Sequence, residues 1–369
     1  MTVLITKLNG HETHKLARVT EGESQRVLVF EDQISEYYAL RKKVGLLDYT
    51  ATGIFRIEGR ESIDFLNFLV TKNIEFMEYG QVISALLLSV EGTFVDLVVL
   101  YKLEDCVLLE TSQSNYEKVK THLQMYVGRF DAVVIDQSYD LGLIGFEGPN
   151  AWKVAQTLLD FEVSTLSFQT FLNFSWEGKS LLLVRTGSTG EYGYKILVPD
   201  RLAQGFWDHM LELLRSRFDG IPVGYSGLEM CMTEVRHPNR EMSQFDISPI
   251  QAGLHWLIDF NKEDFIGRNE VLRQVVEDAS ERLIGFNADM HVQMKNGADV
   301  SVDGQFVGKV IVVQESPILQ KLVGLALLRL PFAVPGLVFD VVNGDGGRSE
   351  ILTVSAPYVV PMSWSIKMI

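Results

Sequence analysis

Cysteine is nearly absent. Cys106 and Cys231 are the only two in 369 residues, with no Cys-x-x-Cys pair and no histidine cluster beside either, which excludes a disulfide scaffold and a structural zinc site. Basic charge is also scarce: 33 Lys and Arg stand against 48 Asp and Glu, a formal charge of −15. A chain this acidic disfavours nucleic acid and anionic membrane as partners. Long hydrophobic runs are missing too. The most apolar late stretch, "VGLALLRLPFAVPGLVF", is broken by Arg329, Pro331 and Pro335, so it reads as buried strands and turns rather than a membrane span. The opening "MTVLITKLNGHETHKLARV" meets Lys, His and Glu too early to form a signal-peptide core. "TGSTGEYG" has the glycines of a phosphate loop without its lysine, and no Gly-x-Ser-x-Gly elbow occurs. A soluble protein in a reducing, cytoplasmic setting is the expectation.

What the chain does have is apolar content, 47%, and length enough for about two or three cores. Helical spacing marks "DQISEYYALRKKVG", with Gly45 as its stop and its polar face left to solvent. It marks "GRESIDFLNFLV" with a stripe of Ile63, Leu66 and Leu69 as well, and "SNYEKVKTHLQMYV", where Ser114 caps and Tyr116, Val119, Leu123 and Tyr126 face inward. "DRLAQGFWDHMLELLRSRF" follows with Asp200 as its N-cap. Strands are predicted at "GIFRIEG", "TFVDLVVLYKL", "CVLLETS", "YDLGLIGFEG", "KSLLLVRTG" and "YGYKILVP". Beyond about residue 275 the turn signals "KNGAD", "VDGQ" and "NGDGG" point to a separate β domain. The mixture predicts an α+β fold with antiparallel sheets. Of seven histidines, only His11 and His14 approach metal-ligand spacing, near a terminus, so no metal site is expected.

Taken in order, "EYYALRKKVGLLDYT", "FRIEGRESIDFLNFLVTKNI", "EGTFVDLVVL", "LGLIGFEGPNAWKV", "TGSTGEYGYKI" and "ISPIQAGLHWLIDFNKEDFIG" resemble the glycine-cleavage T-protein (aminomethyltransferase) family, which includes folate-dependent demethylases. Each run alone is ordinary turn or core chemistry. Their collinearity is what identifies the family. The resemblance implies a three-domain cloverleaf around tetrahydrofolate with a C-terminal barrel-like domain. Its expected domains are 1–50 with 138–274 (folate-binding), 51–137 (α+β) and 275–369 (β).

A reduced pterin presents neighbouring N–H donors that one buried carboxylate can accept together. The family supplies it in an Arg-Leu-Glu-Ala-Gly-like run, which here is "EMCMTEVRHPNRE" and falls on Glu234, with Glu229 the competing register. Lys262 and Arg268 are candidates for the cofactor's carboxylate tail, and His237 for a proton donor beside the folate. In aminomethyltransferases the strand matching "EGTFVDLVV" carries two adjacent aspartates, but here the pair is Val95-Asp96. Valine cannot polarise a nitrogen or stabilise a developing iminium. Asp96 stays the catalytic candidate, although strand alternation turns it to the face opposite Val95. The family's cavity-lining tyrosines and asparagine become Ser188, Ser84 and Ser89, which implies a roomier site, while Glu191 keeps the glycine-rich loop recognisable.

The resemblance therefore implies a tetrahydrofolate-dependent one-carbon transferase acting on a small-molecule donor. Val95 tips the reading towards demethylation of a small methylated substrate to 5-methyltetrahydrofolate. The alternatives are a divergent aminomethyltransferase of glycine-cleavage type, for which a carrier protein would be the partner, and a folate-binding protein without transferase activity. The tRNA-modification and iron–sulfur-assembly relatives of that last class carry a Lys-Gly-Cys-Tyr-like motif where this chain reads "EVRHPNRE".

Overall fold

The computed structural model describes residues 4, 6–8, 26–238, 247–277, 280–342 and 347–368. The chain divides into two compact units: Met1–Leu87, Val95–Cys231 and Pro361–Ile369 form the first, Leu88–Phe94 with Met232–Val360 the second.

The first unit opens with helix α1 (Gln33–Lys42), capped by the Asp32 carboxylate, which accepts from Ser35 N at 2.8 Å. Strands β1 (Gly45–Tyr49) and β2 (Gly53–Glu58), helix α2 (Ser62–Leu69), and strands β3 (Val82–Leu88), β4 (Phe94–Lys102) and β5 (Val107–Thr111) follow. Next come α3 (Tyr116–Val127), β6 (Val133–Asp136), β7 (Leu141–Glu147), α4 (Ala151–Thr157), β8 (Phe171–Trp176), β9 (Lys179–Arg185) and β10 (Gly193–Pro199). Helix α5 (Asp200–Phe218), β11 (Ile221–Val223) and α6 (Tyr225–Glu234) lead out of the unit. The strands build a five-stranded sheet, β3-β4-β5-β2-β6, and a six-stranded sheet, β11-β1-β7-β10-β9-β8. Almost every pairing is antiparallel; β1 with β11 is parallel. Trp152, Phe206, Trp207 and Met210 from α4 and α5 cover Ile144, Phe146, Tyr194 and Ile196 of the larger sheet, the usual way a half-apolar sheet is kept from water. Val82, Tyr101, Cys106 and Leu108 of the smaller sheet pack with Phe171 and Val184 of the larger one.

The second unit holds α7 (Arg268–Val276) and the strands β12 (Glu281–Asp289), β13 (Asp299–Val302), β14 (Gln305–Ser316), β15 (Lys321–Arg329), β16 (Val338–Val342) and β17 (Arg348–Val354), closed into a barrel in the order β12-β15-β14-β13-β16-β17. Phe286, Val300, Val310, Leu328 and Val341 fill its interior. Asp303 and Gly304 turn between β13 and β14 with φ of 49° and 77°, the left-handed pair a two-residue hairpin needs. The α+β class and the C-terminal barrel expected from sequence are both present.

Local boundaries moved by physics the pattern does not carry. Helix α1 ends at Lys42 with Lys43 as its cap, and Gly45 opens β1, where a Cβ would stand 2.5 Å from Val223 Cγ2. That glycine serves close packing, not a helix stop. Ser114 lies in a short 3-10 turn before α3 and Asn115 takes the cap position; Asp200 is the first residue of α5 rather than its cap. The expected buried faces of α2 and α3 hold, with Phe65 taking the place given to Ile63. No helix among the described residues is long and apolar enough to cross a membrane.

Candidate functional site

The larger sheet ends in a loop, residues 186–192, joining β9 to β10, and Glu147 at the last position of β7 holds it. Its carboxylate accepts from Ser188 N at 3.2 and 3.0 Å, Ser188 Oγ at 3.3 Å, Thr189 N at 3.0 Å and Thr189 Oγ1 at 2.7 Å. Glycine is required for this approach. A Cβ on Gly187 would meet Glu147 Oε2 at 3.0 Å, and one on Gly193 would meet Thr186 O at 2.6 Å. Tyr49 lies across Gly145, where a Cβ would stand 2.6 Å from its ring, and its hydroxyl bonds with Ser188. Burial, then the neighbouring Glu147 charge, pushes that phenol well above its ordinary range.

Glu191 sits on the same loop at 7% exposure, and its carboxylate is occupied by the chain itself. Met362 N donates at 3.0 Å, Ser363 N at 2.9 Å and Ser363 Oγ at 2.6 Å, while the Arg41 guanidinium stands 3.6 Å away. Arg41 in turn donates to Thr189 O and Cys231 O, both at 2.8 Å. The same segment returns to the loop twice more: Tyr192 N donates to Ser363 Oγ at 2.9 Å, and the Tyr192 hydroxyl donates to Ile366 O. So Arg41, on the α1 face expected to meet solvent, is buried, as is Glu36, which accepts from Phe30 N, Glu31 N and Gly224 N at 2.7 to 2.8 Å. The reason is backbone satisfaction: each side chain binds main-chain groups that would otherwise lack partners.

On β4, Val95 and Asp96 are both 3% exposed, and Ser84 is half-buried on β3. The Asp96 oxygens accept from Ser112 N at 2.9 Å, Ser112 Oγ at 3.0 Å, Asn115 Nδ2 at 2.9 Å and Thr111 Oγ1. Burial raises its pKa from the ordinary value, against those donors, which lower it. Asp96 thus ties β4 to the end of β5 and the turn into α3, a role for the side chain that the sequence reading weighed alongside catalysis.

In the second unit Glu234 is fully buried, accepts from Ser316 Oγ at 2.5 Å, and lends its carbonyl to Tyr358 N at 2.8 Å. His237 lies one residue past the left-handed Arg236, with its N–H on Met232 O at 2.9 Å. Ser89 and Thr93 share a hydroxyl contact at 2.9 Å. Lys262 is 5% exposed, its ammonium 5.8 Å from the centre of the Phe265 ring. Burial lowers its pKa to about 7, with Asp259 and Asp264 opposing. Arg268 donates Nε to Lys262 O at 2.8 Å, bracing that backbone. In the run before them Leu254, Leu257 and Ile258 are buried while Trp256 is 58% exposed, so its indole is not part of a core. Among the described residues no group of acidic, cysteine and histidine side chains could hold a metal; His11 and His14 lie outside those residues.

The sequence reading missed four residues that this geometry makes prominent: Arg41, Tyr49, Glu147 and Glu110, whose buried carboxylate accepts from the Tyr101 hydroxyl and meets Lys195 Nζ at 2.5 Å. No local signal marks them: a charged residue within a helix, as Arg41 is beside Leu40, reads the same whether it meets water or a distant carbonyl.

Two outcomes follow. Glu191→Ala removes a carboxylate 3.6 Å from the buried Arg41 guanidinium and strips Met362 N, Ser363 N and Ser363 Oγ of their acceptor, and should cost about 3–5 kcal/mol, read as a lower urea midpoint at unchanged slope. For Lys262, the unfolded chain binds more protons than the folded one between about 7 and the ordinary 10.5, so stability should rise with pH across that window. Lys262→Met should flatten the rise; an unchanged profile would remove the buried ammonium as its source.

Residues 11–262 match the GCVT N-terminal domain family, well over half of the chain. The aminomethyltransferase of Thermotoga maritima is 29% identical over 334 residues, 90% of each chain. That of Alkaliphilus oremlandii is 29% identical over 317 residues, 85% of each. The fold is shared with the glycine cleavage system aminomethyltransferase T from Bartonella henselae, with a TM-score of 0.85 over 95% of this chain and 96% of that one, at 21% identity. The order of motifs and these matches agree: the chain belongs to the GCVT family, the aminomethyltransferase (glycine-cleavage T-protein) family of transferases.

Proposed function

We propose that the chain is a tetrahydrofolate-dependent one-carbon transferase that takes a methyl group from a small methylated donor and yields 5-methyltetrahydrofolate. The observation behind the methyl reading is on β4. Where aminomethyl chemistry calls for a carboxylate, the strand offers Val95, and the neighbouring Asp96 receives four hydrogen bonds from Thr111, Ser112 and Asn115. A site without a ready carboxylate is poorly equipped to assist departure of an amine through a developing iminium. Tetrahydrofolate, when bound, supplies the nitrogen that accepts the carbon.

The residues present fit such a group. Glu234 is a fully buried carboxylate that accepts from Ser316, and the adjacent Thr233 hydroxyl is buried without a hydrogen-bond partner among the described residues. Acceptors of this kind suit a ring edge carrying several N–H donors. Lys262 and Arg268 would supply positive charge for a carboxylate tail, and His237 a proton relay near Glu234. In the first unit Ser188 and Ser84 would orient the donor, with the loop fixed by Glu147. Positioning alone supplies several kcal/mol of barrier reduction, so no enzyme nucleophile is called for.

The second reading, a divergent aminomethyltransferase working with a carrier protein, draws on the names of the relatives above. Calorimetric titration with tetrahydrofolate, followed by mass analysis of the folate after incubation with methylated compounds, separates the two. Folate binding that weakens by about 1.5–3 kcal/mol in Glu234→Ala, with 5-methyltetrahydrofolate as product, is the expected result. Methylene-folate as the only product would overturn methyl transfer, and equal affinity in the variant would remove Glu234 from the pterin contact.

A further inference from the structure

Strand β8 ends the six-stranded sheet, with β9 on one side and, among the described residues, no strand on the other. Its hydrogen-bond alternation fixes which main-chain groups face outward. Thr170 O accepts from Arg185 N on the β9 side at 2.9 Å, whereas Phe171 N donates to Gly80 O on the other at 2.8 Å. Asn173 and Ser175, in step with Phe171, therefore also turn their N–H and C=O away from β9. The chain starts to cover that side and stops. Gln81 forms an antiparallel bridge with Thr170, and Val82 N donates to Gln169 O at 2.8 Å, but Gly80, at φ 87°, turns the preceding loop away and no backbone pair forms at Asn173. Both Asn173 and Ser175 are exposed.

Aromatic surface adjoins the open edge. The Tyr79 hydroxyl accepts from Asn173 Nδ2 at 3.1 Å and its ring meets Phe171 edge-on at 5.6 Å, yet Tyr79 is 52% exposed. Phe76 on the same loop is 81% exposed, and Phe168, next to Gln169, is 61%. Rings bared beside an unpaired strand mark a protein-binding surface. Native edges are blunted by lysine or proline, and residues 171–176 contain neither. Charge then decides between occupants. The loop at 73–81 carries Glu75 and Glu78, both exposed, and no basic residue, while Glu177 and Lys179 cancel in the turn after β8. A second copy would bring the same acids against each other on a chain of formal charge −15, which like-charge repulsion opposes. A basic segment meets no such obstacle.

We propose that the outer edge of β8 is a docking site for an extended basic segment of another protein, which adds to this sheet as a further strand. Its backbone pairs with Asn173 and Ser175. Residues directly opposite those two share their face of the sheet, so apolar side chains there rest against Tyr79, while Lys or Arg flanking them answers Glu75 and Glu78. This docking is independent of which one-carbon reaction the chain catalyses.

The probe is the capped peptide Lys-Lys-Val-Thr-Val-Lys-Lys, whose β-branched centre favours an extended backbone, titrated calorimetrically into the full chain. It should bind at least about tenfold tighter than Glu-Glu-Val-Thr-Val-Glu-Glu at low salt. Methylating both valine nitrogens removes the donors that face the edge and should weaken binding by about tenfold or more. Ser175→Pro deletes an outward N–H while leaving the β9 ladder intact, and should weaken it by about the same factor. No binding of the lysine peptide, equal binding of the acidic one, or an affinity unmoved by N-methylation or by Ser175→Pro would overturn the proposal. If Ser175→Pro does not fold, the N-methylated peptide decides, since the protein is then unchanged. Sedimentation covers the other occupant: a dimer that Ser175→Pro dissociates would give the edge to a second copy and overturn the basic partner.

Discussion

The carboxylate of Glu147, fixed at the end of a central strand, is the constraint on which the site loop depends. Two backbone amides and two hydroxyls from Ser188 and Thr189 converge on it, in a region where unsatisfied amides would be expensive. A charge held this way shapes the loop more tightly than apolar packing could, because hydrogen bonds are directional and the anion rejects other arrangements. The glycines at 187 and 193 follow from it: the backbone must come so close that no side chain fits. The Tyr49 hydroxyl then meets Ser188, and through its ring the constraint extends to Lys195 and Glu110.

The same device recurs. Glu36 gathers three amides, Asp96 gathers one amide and three side-chain donors, and Glu191 gathers two amides, a hydroxyl and a guanidinium nearby. These acids are buried as receptors for chain turns. An acidic composition, which at first suggests only a solvated surface, thus has part of its charge inside. For chemistry the consequence is restrictive. Burial raises the pKa of Glu36 and Asp96 while the donors around them lower it, and a carboxylate whose oxygens already accept from several donors has fewer lone pairs to offer a substrate.

Periodicity made the helices and strands legible because the apolar stripes of α2, α3 and α5 and the alternation of β2, β4 and β10 answer to burial alone. Motif order was legible for the family. Burial of Arg41 and Glu36 was not, since a charged residue inside a helix looks the same whether its partner is water or a distant carbonyl. Nor was the pairing of Glu110 with Lys195, which lie 85 positions apart and meet only once two sheets have formed. Asp200 was misread by one position and Gly45 by two from the Lys43 cap for a related reason: caps are chosen by backbone geometry, and several residues near a boundary offer the same chemistry. For Asp96 the sequence held both a catalytic and an architectural reading open, and the four donors around it belong to the architectural one.

The segment around Met362 and Ser363 follows the barrel strands in the chain yet satisfies a carboxylate that precedes them by 171 positions. During synthesis Glu191 therefore emerges long before its amide partners exist. Until residues 362 and 363 leave the ribosome the loop has its Glu147 anchor but not its second one, and the first unit stays locally unfinished while the whole barrel is being made. Ordering of the transferase loop is thus a late event in the birth of the protein, and a nascent chain arrested within the barrel would carry that loop half-secured.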